Sequence, residues 1–512
     1  MQMPTGKFRR SMIIQPYFLI LVPVFFLLKN MNAFFSHIPG SQLVVLFVEY
    51  ILISFILYLI LRLFFAKERY KASLSCLILL FIYFFYNDLD KFKQSQRWMN
   101  SVSGYRWSLP VLFLFAGGLI FLVLRLKKTP HKTIGFLNSL LILFCLSEAS
   151  LLIYKIIVPP PRLLKIQHDH LAFSDQGQER LKHPNIYFLL FDEYQGNEGL
   201  QKLFHFDNAK LKRSLLSQGF FVPVLARANY SNTFFSMPSI LGMNYLEGTI
   251  QGKTPNEDLN ISLSGEELIQ NNSLIRFLQH IHYKVDNLSP FNLDETGDRV
   301  LQYKSITVEK YLIENQTFFH VIKEKIGWTF TNKTLLRLTD PSGYNNQYYN
   351  RYIQNRLLAA SARKDPNPRF VYSHFFMPHA PFLKDSLGDD AGFHQPGQTT
   401  TGIDMNAFYL SYLKYTNGEL INMVDGLIKN DPKSIIIIMS DHGYRGMIPR
   451  NAALQYDIQF YVRTPEQHYS KWPDTVDGTN AFRILLNNEF DQHLDYLPYK
   501  NMESTSANAT GP

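Results

Sequence analysis

Five apolar runs crowd into the first 158 residues, and three consecutive prolines end them. The runs are Met12–Leu28, Leu43–Phe65, Ala72–Tyr86, Trp107–Leu126 and Ile134–Val158, followed by Pro159-Pro160-Pro161. A helix needs roughly 20 apolar residues to cross the hydrocarbon core of a bilayer, and most of these runs reach that length. Inside lipid every backbone polar group must be satisfied within the segment, which an α-helix does by itself. Residues 1–158 are therefore predicted to form a multi-span α-helical membrane domain of about five helices, the third being the shortest. The prolines cannot continue a helix. Beyond them the chain has the pattern of an ordinary soluble domain, so its 46% hydrophobic content over 512 residues averages two unlike parts.

The first run follows Lys7, Arg9 and Arg10, as a signal peptide would. No small-residue cleavage site comes after it and four more spans do, which predicts an uncleaved anchor. Basic residues in short loops mark the cytoplasmic side. The N-terminus, the loop with Arg62, Lys67, Arg69 and Lys71, and the loop with Arg125, Lys127, Lys128 and Lys132 meet that description. The loop Asn87–Arg106 departs from it, with Lys91, Lys93, Arg97 and Arg106 partly balanced by Asp88 and Asp90. An odd number of spans places the following domain outside the cytoplasm. Glu148 lies within the last span, where an ionisable group should face other helices or water. Both a structural and a substrate-related role are open to it.

The net charge of +9 belongs largely to the lysines and arginines flanking the spans. No nucleic-acid module is visible, and no nucleic-acid partner is expected. The two cysteines, Cys76 and Cys145, both fall in predicted spans. The exported domain thus has neither disulfides nor a thiol nucleophile, and its size lets it build a core without cross-links.

Residues 159–183 are polar and mixed in charge after the prolines, and read as a linker. From Pro184 the pattern becomes α/β. Asn185–Phe191, Arg369–His374 and Ser434–Met439 are continuous apolar runs of strand length, as expected of strands buried on both faces. Amphipathic stretches lie between them, at Leu200–Gln218, Glu266–His282 and Asn406–Lys429. Strands alternating with helices predict a mostly parallel sheet covered by helices, here over 184–500. The tail 501–512 is small and polar and is expected to be disordered. Ligands of such sheets gather at the carboxyl ends of the strands.

The polar pieces sit where that rule wants them. Ser440-Asp441-His442-Gly443 follows one strand and offers a carboxylate and an imidazole, a pair suited to zinc or manganese. Asp192-Glu193 ends the first strand. Adjacent strand residues point to opposite faces, so both can be metal ligands only if the chain has already turned, and either is a candidate. Thr233 precedes an apolar segment with helical character in Asn232-Thr233-Phe234-Phe235-Ser236-Met237-Pro238-Ser239. A hydroxyl there faces helical N–H groups, which favour an anionic substrate, and a bound divalent cation makes it a usable nucleophile. His374 and His379 stand at and just beyond the end of the strand Arg369–His374, placed to protonate a leaving group or bind a second metal.

With these residues in view, the domain resembles the alkaline phosphatase and sulfatase superfamily. The whole chain, spans first and domain second, resembles lipoteichoic acid synthases and lipid A phosphoethanolamine transferases. Thr233 before Ser236-Met237-Pro238, an acidic residue ending the first strand, His379-Ala380-Pro381 in the middle and Asp441-His442-Gly443 late in the chain carry the likeness. The resemblance implies a Thr-linked intermediate on Thr233 and a divalent metal ion held by Asp192 or Glu193, Thr233, Asp441 and His442. Zinc or manganese would be that ion, with magnesium and calcium as alternatives. His379, with His374, would serve the leaving group or the acceptor. A phospholipid donor, a glycan or glycolipid acceptor and the bacterial cytoplasmic (inner) membrane, with the domain on its extracytoplasmic side, come with it. Tyr444-Arg445 stands where those transferases carry an acidic residue, and Arg445 is a candidate phosphate contact. Two alternatives remain in view. One is a sulfatase-like hydrolase using Ser236, although Ile240 occupies the position of the signature's arginine. The other is an inactive binding module for envelope assembly.

Overall fold

The computed structural model describes residues 16–502, apart from 36, 39, 66–67, 96–104, 168–170, 175–182, 249, 253–254, 294–311, 321, 323–340, 392–403 and 447–451. The chain divides into two compact units. One is Met1–Pro161 with Lys304–Leu338, and the other is Arg162–Tyr303 with Thr339–Pro512.

The first unit holds helices α1 (Phe18–Ala33), α2 (Gly40–Phe64), α3 (Arg69–Ser95), α4 (Tyr105–Arg125) and α5 (His131–Ile157). Four of them are long and apolar enough to cross a membrane, and α1 is shorter. Its 16 residues rise about 24 Å. The expected first span began at Met12; residues 12–15 lie outside the described residues, and the helix runs five residues further than its predicted end. The third span, expected to be the shortest, is 27 residues long. Hydropathy fades after Tyr86, but the helix continues because its charges find partners: Lys93 pairs with Asp90 at 2.7 Å, and Asp88 pairs with Lys29 of α1. Glu148 faces α1. Its Oε2 accepts from Asn32 Nδ2 at 2.7 Å, and Lys155 Nζ donates to the Asn32 carbonyl at 2.6 Å.

The second unit is built on a five-stranded sheet of order β5 (Lys284–Leu288), β6 (Arg369–Phe375), β2 (Ile186–Phe191), β7 (Ile435–Met439) and β8 (Phe460–Arg463). All pairs are parallel except β7 with β8. Alternate side chains along β2 enter opposite faces, as the pleat requires. Ile186, Phe188 and Leu190 join one apolar core with α8 (Thr233–Gly242), α10 (Ser273–His280) and α13 (Ala481–Glu489). Tyr187, Leu189 and Phe191 join a second core with α6 (Asn197–Phe204), α7 (Ala209–Ser217), α11 (Pro341–Ser361) and α12 (Met405–Asn430). Both faces are thus covered, which is why the strands read as unbroken apolar runs. Helix α9 (Pro255–Gln270) lies against α8.

Two small sheets complete the unit. β3 (Leu225–Arg227) pairs in parallel with β9 (Thr475–Asp477). β1 (Leu164–Ile166) pairs antiparallel with β4 (Leu246–Gly248). Part of the stretch expected as a linker is therefore folded onto the domain. Leu164 is buried, Gln167 N donates to Tyr245 O at 2.8 Å, and Leu171 and Phe173 pack on the first core. Conversely, Lys304–Leu338, inside the expected catalytic range, groups with the membrane helices. Residues 503–512 of the expected tail lie outside the described residues.

Candidate metal-assisted active site

Strand β2 delivers two carboxylates to the carboxyl edge of the sheet. Asp192 is still held in the ladder, its N–H donating to Phe375 O at 3.0 Å. At Glu193 the chain turns, with φ at +61°, a left-handed conformation that costs a residue with a Cβ roughly 1–2 kcal/mol. The turn lets both buried side chains stay at the same edge. Glu193 N donates to Asp441 Oδ1 at 3.2 Å, fastening it to the end of the neighbouring strand β7.

Strand β7 ends at Met439, and Asp441 and His442 follow, fully buried. The His442 ring places Nδ1 2.9 Å from the Gly443 carbonyl, so Nδ1 carries the proton and the Nε2 lone pair faces inward. Gly443 is required by close approach. A Cβ there would lie 2.8 Å from the Asp457 carbonyl and from Gln195 Oε1.

Thr233 opens α8. Asn232 caps that helix by accepting from Phe234 N at 3.0 Å, a bond typical of Asn at this position. The Thr233 hydroxyl donates to Asp441 Oδ2 at 2.5 Å and lies 3.3 Å from His442 Nε2. Ser236, one turn on, is buried and donates to the Tyr230 carbonyl at 3.0 Å. Its hydroxyl is thus used up within the helix entry.

Among the described residues, Asp192, Asp441 and His442 offer ligand atoms that all lie within 4.8 Å of one another. His442 Nε2 stands 3.8 Å from Asp192 Oδ1 and 3.3 Å from Asp441 Oδ2. Burial alone would raise the Asp192 carboxyl, but the imidazoles of His379, His374 and His442 outweigh it and hold that carboxyl well below its usual range. Burial, and then the Asp192 charge, push Asp441 the other way. Two carboxylates this close and this dry call for a compensating cation. The donor set fits one. Asp192 Oδ1 and His374 Nε2 are buried without a hydrogen-bond partner, and two oxygens, one imidazole and the Thr233 hydroxyl suit zinc or manganese.

His374 is next to last in β6, its Nε2 3.7 Å from Asp192 Oδ2 and its Nδ1 2.9 Å from the Tyr372 hydroxyl. His379 lies further along the loop, partly exposed, with Nε2 3.9 Å from Glu193 Oε2. Burial disfavours its charged form, but Asp192 and Glu193 outweigh that and raise its pKa. Glu193 stands outside the three-ligand set. Its Oε1 accepts from Arg445 N at 2.9 Å and lies 3.5 Å from Arg445 Nε.

Asp192, Glu193, Thr233, His374, His379, Asp441, His442 and Arg445 are thus gathered at one edge, whereas Ser236 is turned into the helix entry. The braces that hold these groups were not visible in sequence. Gln195 is fully buried. Its Nε2 donates to the carbonyls of Leu454 (2.9 Å) and Asp457 (3.1 Å), and its Oε1 accepts from Tyr444 N (2.9 Å). The Tyr409 hydroxyl donates to Glu193 O at 2.8 Å and accepts from Gln195 N at 3.0 Å, while its ring stacks on Tyr444 at 4.0 Å between centroids. One tyrosine of α12 thereby ties together the two turns that carry the carboxylates and His442. A glutamine four residues past a strand and a tyrosine in an amphipathic helix carry no signal in sequence.

Residues 226–470 match the family model described as Sulfatase. That range contains Thr233, His374, His379, Asp441 and His442 and begins after Asp192 and Glu193. No curated protein matches the chain. Among solved structures, the C-terminal periplasmic domain of EcEptC from Escherichia coli is similar at 11% identity, over 65% of this chain and 86% of that one, with a TM-score of 0.38. The integral membrane lipooligosaccharide phosphoethanolamine transferase A (EptA) from Neisseria meningitidis aligns at 12% identity over 94% of this chain and 95% of its own, with a TM-score of 0.34. The lipoteichoic acid synthase LtaP from Listeria monocytogenes aligns at 10% identity over 65% and 82%, with a TM-score of 0.35.

Proposed function

We propose that the sulfatase-family domain of this chain is the catalytic part of a membrane-anchored, metal-dependent transferase. It moves a phosphoryl-linked group from a phospholipid to an acceptor hydroxyl on an envelope glycan or glycolipid. The observation that carries the reading is the Thr233 hydroxyl. It sits at the start of a helix and donates to a buried Asp441 beside the Asp192 and His442 cluster. A threonine serving only as a helix cap has no need of a buried carboxylate and an imidazole at its hydroxyl.

The residues have distinct parts in this reaction. Asp192, Asp441, His442 and Thr233 would hold the ion, and when bound it supplies Lewis-acid stabilisation of charge on the phosphoryl oxygens and on the nucleophile. Thr233 Oγ1 attacks phosphorus. The Oγ1–P bond forms, the bond from phosphorus to the lipid alcohol breaks, and the hydroxyl proton passes to Asp441 Oδ2. The departing oxygen takes a proton from His379, whose charged form is favoured by Asp192 and Glu193 against burial. In the second half the acceptor hydroxyl gives its proton to His379 and attacks phosphorus. The Oγ1–P bond then breaks and the proton returns to Thr233. Glu193 orients His379 and Arg445, and the Arg445 guanidinium offers a cation to the phosphoryl oxygens. The backbone N–H groups opening α8 favour the same anion.

The spans fit a lipid donor, and the basic loops favour an extracytoplasmic domain in the bacterial inner membrane. Intact mass spectrometry of the full-length protein from its host membrane tests the reading. A phosphorus-containing adduct on the wild type, absent from Thr233→Ala and present on Ser236→Ala, is expected, and its mass identifies the group. The same adduct on Thr233→Ala would refute it.

A further inference from the structure

The chain leaves the second unit after β5 and returns to it at α11, and the stretch in between, Lys304–Leu338, groups with the membrane helices. The described part, residues 312–320 and 322, has the sequence Leu-Ile-Glu-Asn-Gln-Thr-Phe-Phe-His over 312–320. Ile313 is fully buried in the apolar cluster of Val22, Phe26, Tyr50 and Phe84, and Leu312 is buried beside it. The Phe318 ring meets Tyr86 edge-on at 4.9 Å and Phe113 at 6.3 Å. Gln316 Oε1 accepts from Asn87 Nδ2 at 2.5 Å and from Lys91 Nζ at 3.2 Å.

These partners define one end of the bundle. Asn87 and Lys91 lie in the last turns of α3, and Phe113 lies in the first half of α4, which runs the opposite way. At this end the bilayer changes from hydrocarbon to headgroups, and aromatic side chains concentrate there in membrane proteins. Gln316 turns its side-chain amide inward, on Asn87 and Lys91, and Phe319 is left 69% exposed. Phe113 and Phe92, on the helices beside it, are 59% and 61% exposed. In water such a gathering of exposed aromatics is unfavourable. Among acyl chains it is not.

We propose that residues 312–320 form a second membrane-contacting element, seated on the helix bundle by Ile313 and Phe318, with Phe319 inserted among the acyl chains of phospholipids. The soluble part of the sequence thereby grips the bilayer at a point about 150 residues beyond its last span. This inference requires only that the helices span a membrane, and is independent of the transfer chemistry proposed above.

The test is the collisional accessibility of a nitroxide at Phe319→Cys, in full-length protein with Cys76→Ala and Cys145→Ala, reconstituted in phosphatidylethanolamine–phosphatidylglycerol vesicles. Oxygen, which partitions into lipid, should relax the label several-fold more effectively than a water-soluble nickel chelate. A label at Val224→Cys, on the second unit and 83% exposed, should show the reverse. Adding Ile313→Asp should unseat the element and move the Phe319 label to the aqueous pattern. A Phe319 label that follows the nickel chelate, as Val224 does, would overturn the proposal. So would one immobilised and inaccessible to both agents, which would mean a protein contact such as a second copy. If Ile313→Asp does not fold, the milder Gln316→Ala replaces it. A lipid pattern unmoved by both substitutions would refute the seat.

Discussion

Asp457 provides a test of the scaffold behind the site that needs no substrate. It is buried, 3% exposed, in the segment leading into β8. Its Oδ2 accepts from Gly199 N at 2.7 Å and lies 3.4 Å from Gln195 Nε2, and its carbonyl accepts from Gly196 N at 2.8 Å. Burial pushes the carboxyl up from 3.8 to about 6, against the Gly199 N–H and the Arg227 charge, which pull it down. Arg227 is largely committed to Glu198, at 2.8 Å. A folded-state pKa above the unfolded one means that the native protein holds its proton longer. Stability from this group is therefore complete below about pH 4 and is lost as pH rises through about 6. A rise of about two pH units, at about 1.4 kcal/mol each, comes to roughly 3 kcal/mol of destabilisation above pH 7.

Asparagine mimics the protonated acid, keeping an oxygen for Gly199 and removing the charge. Asp457→Asn should therefore gain on the wild type by roughly 2–3 kcal/mol between pH 4 and pH 8, whatever the substitution does to both ends of that range. The assay is unfolding of the two proteins in detergent across that range, with chelator present so that metal affinity does not enter. The difference between them, not either curve alone, isolates this carboxyl from the other titrating groups. A difference that stays flat with pH would refute the reasoning, because Asp457 would then be equally solvated in both states.

Two further substitutions probe the braces around the cluster. Tyr409→Phe keeps the ring on Tyr444 but removes two hydrogen bonds, each worth about 0.5–1.5 kcal/mol. Zinc or manganese affinity by calorimetry should weaken roughly tenfold with the fold retained, whereas unchanged affinity would leave Tyr409 a purely structural residue. Gly443→Ala forces a methyl group to 2.8 Å from the Asp457 carbonyl and Gln195 Oε1, an overpacking that costs about 1–3 kcal/mol. A lower unfolding temperature and weaker metal binding should appear together, and a neutral result on both would mean that the two turns are not held in this register.

The three central strands were legible in sequence because burial on both faces erases polar alternation and leaves apolar runs. Ile435–Met439 has no polar residue, and Ile186–Phe191 has only the Tyr187 hydroxyl. Helix boundaries inside the amphipathic stretches were not, because they are decided locally. Leu200–Gln218 reads as one helix, yet His205 adopts a left-handed conformation and separates Asn197–Phe204 from Ala209–Ser217. The strand within the expected linker escapes sequence for a related reason. Leu164-Lys165-Ile166 is too short for periodicity to register, and only its pairing with Leu246–Gly248 makes it a strand. The segment at 312–320 left even less trace, since its apolar residues are explained by helices more than 200 positions away.

For the site, sequence supplied the reactive groups and could not supply their division of labour. Asp192 and Glu193 are adjacent carboxylates after one strand, and nothing in their order distinguishes them. The difference arises from the backbone. Asp192 remains in the β2 ladder and points at His442, whereas the left-handed Glu193 swings its carboxylate to Arg445 N and His379. That turn is itself held by Tyr409 and Asp441, which come from α12 and from the end of β7. The choice between a metal ligand and an orienting carboxylate is thus made by residues more than 200 positions distant. It follows that exchanging the two, as in Asp192→Glu with Glu193→Asp, would keep the sequence motif and lose the cluster.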